Sequence, residues 1–145
     1  MLAVIQARCS SKRFPNKILK IVYGKPLIHH VILKLLKSKK ISKIIVATSN
    51  HKSDDKLVKY LKKIKVEFFR GSLPNVTKRV LDLALLKKKT FFLRISGDSP
   101  LIDYKLVNYE IKILRKMGVK INVKKNYIEV EKSNKIKNLN ITTKP

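Results

Sequence analysis

The chain has 145 residues, 44% of them hydrophobic, enough for one domain with a real core. Thirty-five basic residues against 9 acidic ones give a formal net charge of +26, and a single cysteine excludes an internal disulfide or a multi-cysteine metal site. No stretch reaches the ~18 to 20 unbroken apolar residues of a membrane span, so a soluble protein in a reducing cytoplasm is expected.

The charge raises nucleic acid and anionic surfaces as partners. Yet Lys outnumbers Arg by 29 to 6, and readers of phosphate and bases favour the Arg fork. The lysines also run from Lys12 to Lys144 rather than gathering in one arm. A lysine-biased solvated surface is therefore preferred to a nucleic-acid face.

In chain order, Leu2–Ala7 is a short apolar run suited to a strand buried on both faces. It is too short for a signal peptide and has no basic leader. Arg8 to Lys17 has no apolar period and reads as a loop. Tyr23-Gly24-Lys25-Pro26 is a turn, with Pro26 suited to a helix start. Leu27, Ile28, Val31, Ile32, Leu35 and Leu36 then recur at helical spacing. The unit repeats. Lys43–Thr48 is a second buried strand, Asp54 and Asp55 start a helix, and Leu57, Val58, Leu61 and Ile64 form its apolar face. Val66–Phe69 is a third strand. Val76, Val80, Leu81, Ala84 and Leu85 mark the next helix, and Thr90–Ile95 a fourth strand. Asp103–Met117 is helical, with Gly118 as its stop. The tail is different: Val119–Val123 and Tyr127–Val130 are short and β-prone, predicting a hairpin or two edge strands. No internal repeat or Gly/Ser-rich linker appears, so residues 1–145 are expected to form a single domain.

Strands alternating with helices predict an α/β fold with a mainly parallel sheet and helices on both faces. Ligands of such sheets bind beyond the carboxyl ends of the strands. That rule selects the loop after Ala7 and the segments from Thr48 and from Ser96.

The first of these presents Arg8, Lys12, Arg13 and Lys17, with Ser10 and Ser11 as further donors. Converging cations and hydroxyls suit a polyphosphate. Neither the P-loop pattern nor G-x-G-x-x-G is present. In so lysine-rich a chain, chance clustering is the competing reading. The third segment is Arg94-Ile95-Ser96-Gly97-Asp98-Ser99-Pro100-Leu101-Ile102-Asp103. Asp98, beside a Gly that permits close backbone approach, is placed either to hold a hard cation such as Mg²⁺ or simply to shape a turn. Asp103 reads as a helix cap.

Together these segments carry a resemblance. I-Q-A-R-x-x-S-x-R-x-P-x-K at Ile5–Lys17 is followed by G-K-P-L at Gly24–Leu27 and I-I-V-A-T-S at Ile44–Ser49. F-R-G-S at Phe69–Ser72 and the run Arg94–Asp103 complete the order. Over residues 1 to 117 the chain resembles the CMP-sugar synthetases, the acylneuraminate and 3-deoxy-manno-octulosonate cytidylyltransferases. Its nearest likeness is to the spore coat polysaccharide biosynthesis protein F-like branch.

The resemblance implies a Rossmann-like nucleotide-diphospho-sugar transferase fold, CTP as donor, a surface-polysaccharide sugar such as a nonulosonic acid as acceptor, and Mg²⁺ as metal. Carried over by position, Ala7, Arg8, Ser11, Arg13, Lys17 and Arg94 would bind the nucleotide. Arg8, Arg13 and Lys17 would hold its triphosphate, and Ser11 would shape the loop. Arg13, Lys17 and Asp98 would serve catalysis, with Asp98 as the metal carboxylate. The family reaction joins a sugar hydroxyl to the α-phosphate of CTP and releases pyrophosphate.

The departures are specific. Members of the family are longer than this chain, so the nucleotide half is expected to be kept and the sugar half shortened. A late acidic residue that completes the metal site in relatives falls at Asn140–Pro145, which has no carboxylate. Leu73-Pro74-Asn75 replaces the acidic pair that follows F-R-G-S. Two alternatives follow: a shortened relative that binds nucleotide without efficient turnover, and, less favoured, a basic nucleic-acid-binding module. A homodimer or partner subunit is expected to dock on the β-prone tail. His29, His30 and His51 read as surface or partly buried residues, because adjacent helix positions point apart. Cys9 has cations nearby that favour a thiolate, but without a base at fixed spacing it reads as a small loop residue.

Overall fold

The computed structural model describes residues 1–11, 13–89, 91–116, 120–123 and 128–131. The strands are β1 (Leu2–Gln6), β2 (Ile21–Val22), β3 (Lys25–Pro26), β4 (Lys43–Ser49), β5 (Phe68–Gly71), β6 (Phe92–Ser96), β7 (Lys120–Val123) and β8 (Ile128–Glu131). The helices are α1 (Leu27–Leu36), α2 (Asp55–Lys63), α3 (Val76–Leu86) and α4 (Tyr104–Lys116). Four strands form one parallel sheet in the order β5-β4-β1-β6. The four predicted strands are thus present, with ends shifted by at most two residues. Thr90, Met117 and Gly118 lie outside the described residues.

Burial explains the strand composition. β1 is central, and its alternate residues feed two cores. Ala3 and Ile5 pack with Ile28, Val31, Leu35, Leu57 and Leu61 of α1 and α2. Leu2 and Val4 pack with Val80 and Leu83 of α3 on the other face. A strand with two buried faces needs an unbroken apolar run, and LAVI supplies it. The chain order accounts for the layers. The crossovers through α1 and α2 step one way along the sheet, whereas α3 carries the chain back past β1 to β6. Right-handed crossovers running in opposite directions place their helices on opposite faces.

The face of α3 differs from the one its sequence suggests. The buried residues are Arg79, Val80, Leu83 and Ala84, while Leu85 is exposed. A periodicity count assigns an arginine to solvent, so it rotates the apolar stripe away from Arg79.

Helix starts follow local chemistry. The Asn75 side chain accepts from Lys78 N at 2.8 Å and opens α3. Asp103 accepts from Lys105 N at 2.8 Å and opens α4. The Tyr23-Gly24 turn closes a two-stranded hairpin of β2 and β3, with both residues at positive φ. β7 and β8 pair antiparallel as a separate sheet, in agreement with the hairpin reading of the tail. Asn140–Pro145 lies outside the described residues. Among the described residues, no helix is long and apolar enough to cross a membrane.

Candidate functional site

In the order β5-β4-β1-β6, the connection leaving β1 runs toward β4, and β6 lies on β1's other side. The loops after β1 and β6 therefore part at a topological switch point, where an open parallel sheet leaves a crevice. Both motif-bearing loops emerge there. Gln6 and Ser96 are register partners at the strand ends, and Gly97 N donates to Gln6 O at 2.8 Å. The approach is close. A Cβ on Gly97 would stand 2.9 Å from Ala7 Cβ and from Ile28 Cδ1, and 3.0 Å from Gln6 O. Glycine is required by contact with backbone and core rather than by its dihedral angles.

Asp98 and Lys17, 81 residues apart in sequence, form an ion pair across this crevice. Ser96 Oγ also donates to Asp98. The Lys17 hydrogen bond, then that of Ser96, hold the Asp98 carboxyl below its ordinary 3.8, and partial burial opposes them only weakly. Both side chains keep about a third of their exposure, 29% and 30%. They are held, yet reachable.

The other carried-over positions divide. Arg8 and Arg13 are exposed on the β1 loop, Ser11 is half-buried there, and Ala7 is buried where β1 meets Gly97. Arg94 stands apart. It lies inside β6 opposite Val4, two residues before the strand end, and is exposed. No hydrogen bond joins it to the loop among the described residues. Arg70 of F-R-G-S braces neighbouring backbone instead: it donates to Ser49 O at 2.9 Å and His51 O at 3.0 Å and pairs with Asp55 at 2.7 Å.

Two residues at this edge were invisible to motif reading. Asp54, expected only to start a helix, is fully buried beneath the β1 loop, with donors from Cys9 and Ser49. Arg79 is fully buried, donates through Nη1 to Ser72 O at 3.0 Å, and leaves Nε and Nη2 buried without a hydrogen-bond partner among the described residues. Ser10 Oγ is likewise buried and unpartnered. Buried donors left unpaired are uncommon and concentrate where ligands act. The only sequence signal for Arg79 was an arginine at an otherwise apolar helical spacing.

The cations near Cys9 do not activate its thiol. Cys9 is 2% exposed, and burial, followed by the Asp54 charge, pushes its pKa up to about 11. At neutral pH its thiolate fraction is about a hundredfold below that of an ordinary thiol. Disulfide reagents should therefore label the native protein far more slowly than the urea-unfolded chain; equal rates would contradict this burial. His29 Nδ1 lies 2.6 Å from Tyr60 Oη, and His30 Nε2 lies 2.7 Å from Val22 O. Both are partly buried packing residues, as expected.

Among the described residues, no three His, Cys, Asp or Glu side chains gather. What the site offers a metal is the single carboxylate of Asp98. That fits Mg²⁺, which commonly takes one or two carboxylates and draws its other ligands from substrate phosphates and water.

Comparison with known proteins agrees with this geometry. A family model described as cytidylyltransferase matches residues 2–144. A 3-deoxy-manno-octulosonate cytidylyltransferase of Geotalea daltonii is 32% identical over 114 residues, covering 77% of this chain and 44% of the relative. The spore coat polysaccharide biosynthesis protein SpsF of Bacillus subtilis is 30% identical over 116 residues, 77% of this chain and 48% of that protein. A solved cytidylyltransferase from Leptospira borgpetersenii superposes with a TM-score of 0.75 at 32% identity, covering 81% of this chain and 50% of the other. The chain thus spans about half the length of the curated relatives it matches. With nearly every residue inside the family model and both motif loops meeting at the switch point, the chain belongs to the cytidylyltransferase family.

Proposed function

We propose that the chain binds CTP at the carboxyl edge of its sheet and transfers the cytidylyl group to a sugar hydroxyl. One observation carries this reading. Lys17 and Asp98, from the two family motifs, meet as an ion pair at the switch point. A phosphate-binding cation and a metal-binding anion are thus already side by side where a triphosphate with its metal would lie.

In the proposed reaction, Arg8, Arg13 and Lys17 hold the triphosphate, Ala7 and Ser11 shape the loop against it, and Arg94 lends positive charge from β6. The hydroxyl oxygen attacks the α-phosphorus, the bond to the β-phosphate oxygen breaks, and pyrophosphate leaves with that electron pair. The hydroxyl proton passes to solvent. Asp98 would hold Mg²⁺, which when bound neutralises phosphate charge. The chain's own part is positioning and charge compensation, which dominate phosphoryl-type transfers. The acceptor is proposed to be a surface-polysaccharide sugar of the nonulosonic type, and β7 and β8 are proposed as the place where a second chain docks.

The test is pyrophosphate release with CTP, Mg²⁺ and a panel of such sugars, run beside thermal shifts with CTP, ATP, GTP and plain pyrophosphate. CTP should stabilise the fold most, by mass action on the native state. Arg13→Ala should weaken CTP binding by about 1.5 to 3 kcal/mol, roughly ten- to a hundredfold. Equal shifts from every anion would reduce the site to a general polyanion sink. A CTP-selective shift without pyrophosphate release would favour a binding protein, a reading supported by the single carboxylate.

A further inference from the structure

We infer that Asp54 is a positioning residue of this site: through the backbone of Cys9 it fixes the loop that sets Lys17 against Asp98. The inference rests on the nucleotide reading above and extends it to a residue outside the motifs.

A fully buried carboxylate is retained only with partners. Those of Asp54 come from Cys9 in the loop after β1 and from Ser49 at the end of β4. Its Oδ1 accepts from Cys9 N at 2.6 Å, and its Oδ2 accepts from Ser49 N at 2.9 Å and from the Ser49 hydroxyl. Burial alone raises its pKa, but these donors, Ser49 foremost, outweigh burial and keep it ionised.

From there the contacts continue to the site. The carbonyl of Cys9 accepts from Asn16 N at 2.8 Å, so both backbone groups of Cys9 are committed and the loop is closed at its base. Asn16 then turns at φ 57, a left-handed conformation that Asn tolerates better than most residues. This turn starts the 3₁₀ segment Lys17–Leu19, with Leu19 N donating to Asn16 O at 2.9 Å. Lys17 emerges from it onto Asp98. Asp54 therefore acts on Lys17 through Cys9 and Asn16, without touching the substrate.

Its charge matters as well as its shape. Burial lowers the pKa of Arg79, the Asp54 charge opposes that effect, and Arg8 adds to it. The Asp54 charge thus partly offsets the buried Arg79 cation. An amide at position 54 offers one acceptor oxygen and an NH₂ group, so it cannot accept from both Cys9 N and Ser49 N. One of those N–H groups would face another donor.

The experiment pairs amide hydrogen exchange at Cys9 with CTP titration, at a temperature where circular dichroism shows each variant fully folded. Asp54→Asn should speed Cys9 exchange and raise the Kd for CTP by about tenfold or more. Ser49→Ala removes one donor but keeps its backbone N–H, and should raise Kd by about threefold. Leu61→Ala, a truncation in the core under α2 that removes no hydrogen bond of the loop, should lower Tm but leave Kd within about twofold. If folded Asp54→Asn speeds Cys9 exchange yet binds CTP like Leu61→Ala, the positioning role is overturned. Should Asp54→Asn not fold, Ser49→Ala decides, and an unchanged Kd rejects the role. A wild-type protein that binds neither CTP nor pyrophosphate would overturn the nucleotide reading itself. That outcome is visible before any substitution, and it would leave Asp54 a structural staple only.

Discussion

Asp98→Asn should lower pyrophosphate release from CTP by about a hundred- to a thousandfold while shifting Tm only slightly. The two effects separate because the Asp98–Lys17 pair is partly exposed. Pairs of that kind contribute ~1 kcal/mol or less to stability, whereas the partly exposed Asp98 carboxylate is the group proposed to hold a divalent cation. In the variant, CTP binding should lose its dependence on Mg²⁺. Lys17→Met is the complementary change. If Asp98 holds the metal as proposed, the Lys17 ammonium competes for it, so Mg²⁺ alone should bind weakly and CTP should strengthen it by drawing Lys17 onto phosphate. Removing the ammonium should tighten Mg²⁺ binding without nucleotide and weaken CTP binding, as isothermal titration would show. If Lys17→Met left Mg²⁺ affinity unchanged, the competition would be refuted. Full turnover by Asp98→Asn would move the metal elsewhere.

Gly97→Ala should produce the largest loss of stability among single-methyl changes at this edge. The added Cβ would meet Ala7 Cβ and Ile28 Cδ1 at 2.9 Å and Gln6 O at 3.0 Å. Ile28 Cδ1 is a side-chain end but is fully buried, and the other two are a Cβ and a backbone oxygen, so β6 or its loop must move. Overpacking of this kind costs about 1 to 3 kcal/mol, or roughly 4 to 12 °C in Tm for a domain of this size. Because the same displacement separates Gly97 from Gln6 and carries Asp98 away from Lys17, the CTP-induced shift should fall as well. A Tm within about 1 °C of the native value would show that the junction yields more readily than its contacts imply.

Acid adds an independent check on the carboxylates of Asp54 and Asp98. Asp54 and Asp98 both have folded pKa values below 3.8. Their contribution to stability is therefore complete above that value and is lost as pH falls through the lower folded values. Tm should hold from neutral pH to about pH 5 and drop below about pH 4, with a shallower drop in Asp98→Asn.

The sequence by itself determined the α/β class, the four parallel strands, the order of the helices and the two loops that carry the chemistry. Those properties are written locally. Apolar runs such as Leu2–Ile5 admit a doubly buried strand, Asn75 and Asp103 cap helices through neighbours two or three residues away, and ordered motifs mark the family. Tertiary structure alone decided what those loops do to one another. Asp54 looked like a helix start because its partner Cys9 N lies 45 residues away. Arg79 was not singled out in the sequence, because only the packing of α3 on the sheet buries it. Cys9 read as a small loop residue with cations beside it, and the burial that raises its pKa is not visible in sequence. Lys17 and Asp98, each open to a bland reading, became a pair across 81 residues once β6 crossed back beside β1. Burial and hydrogen bonding depend on which distant segments the crossovers bring together, and no periodicity within one segment encodes that.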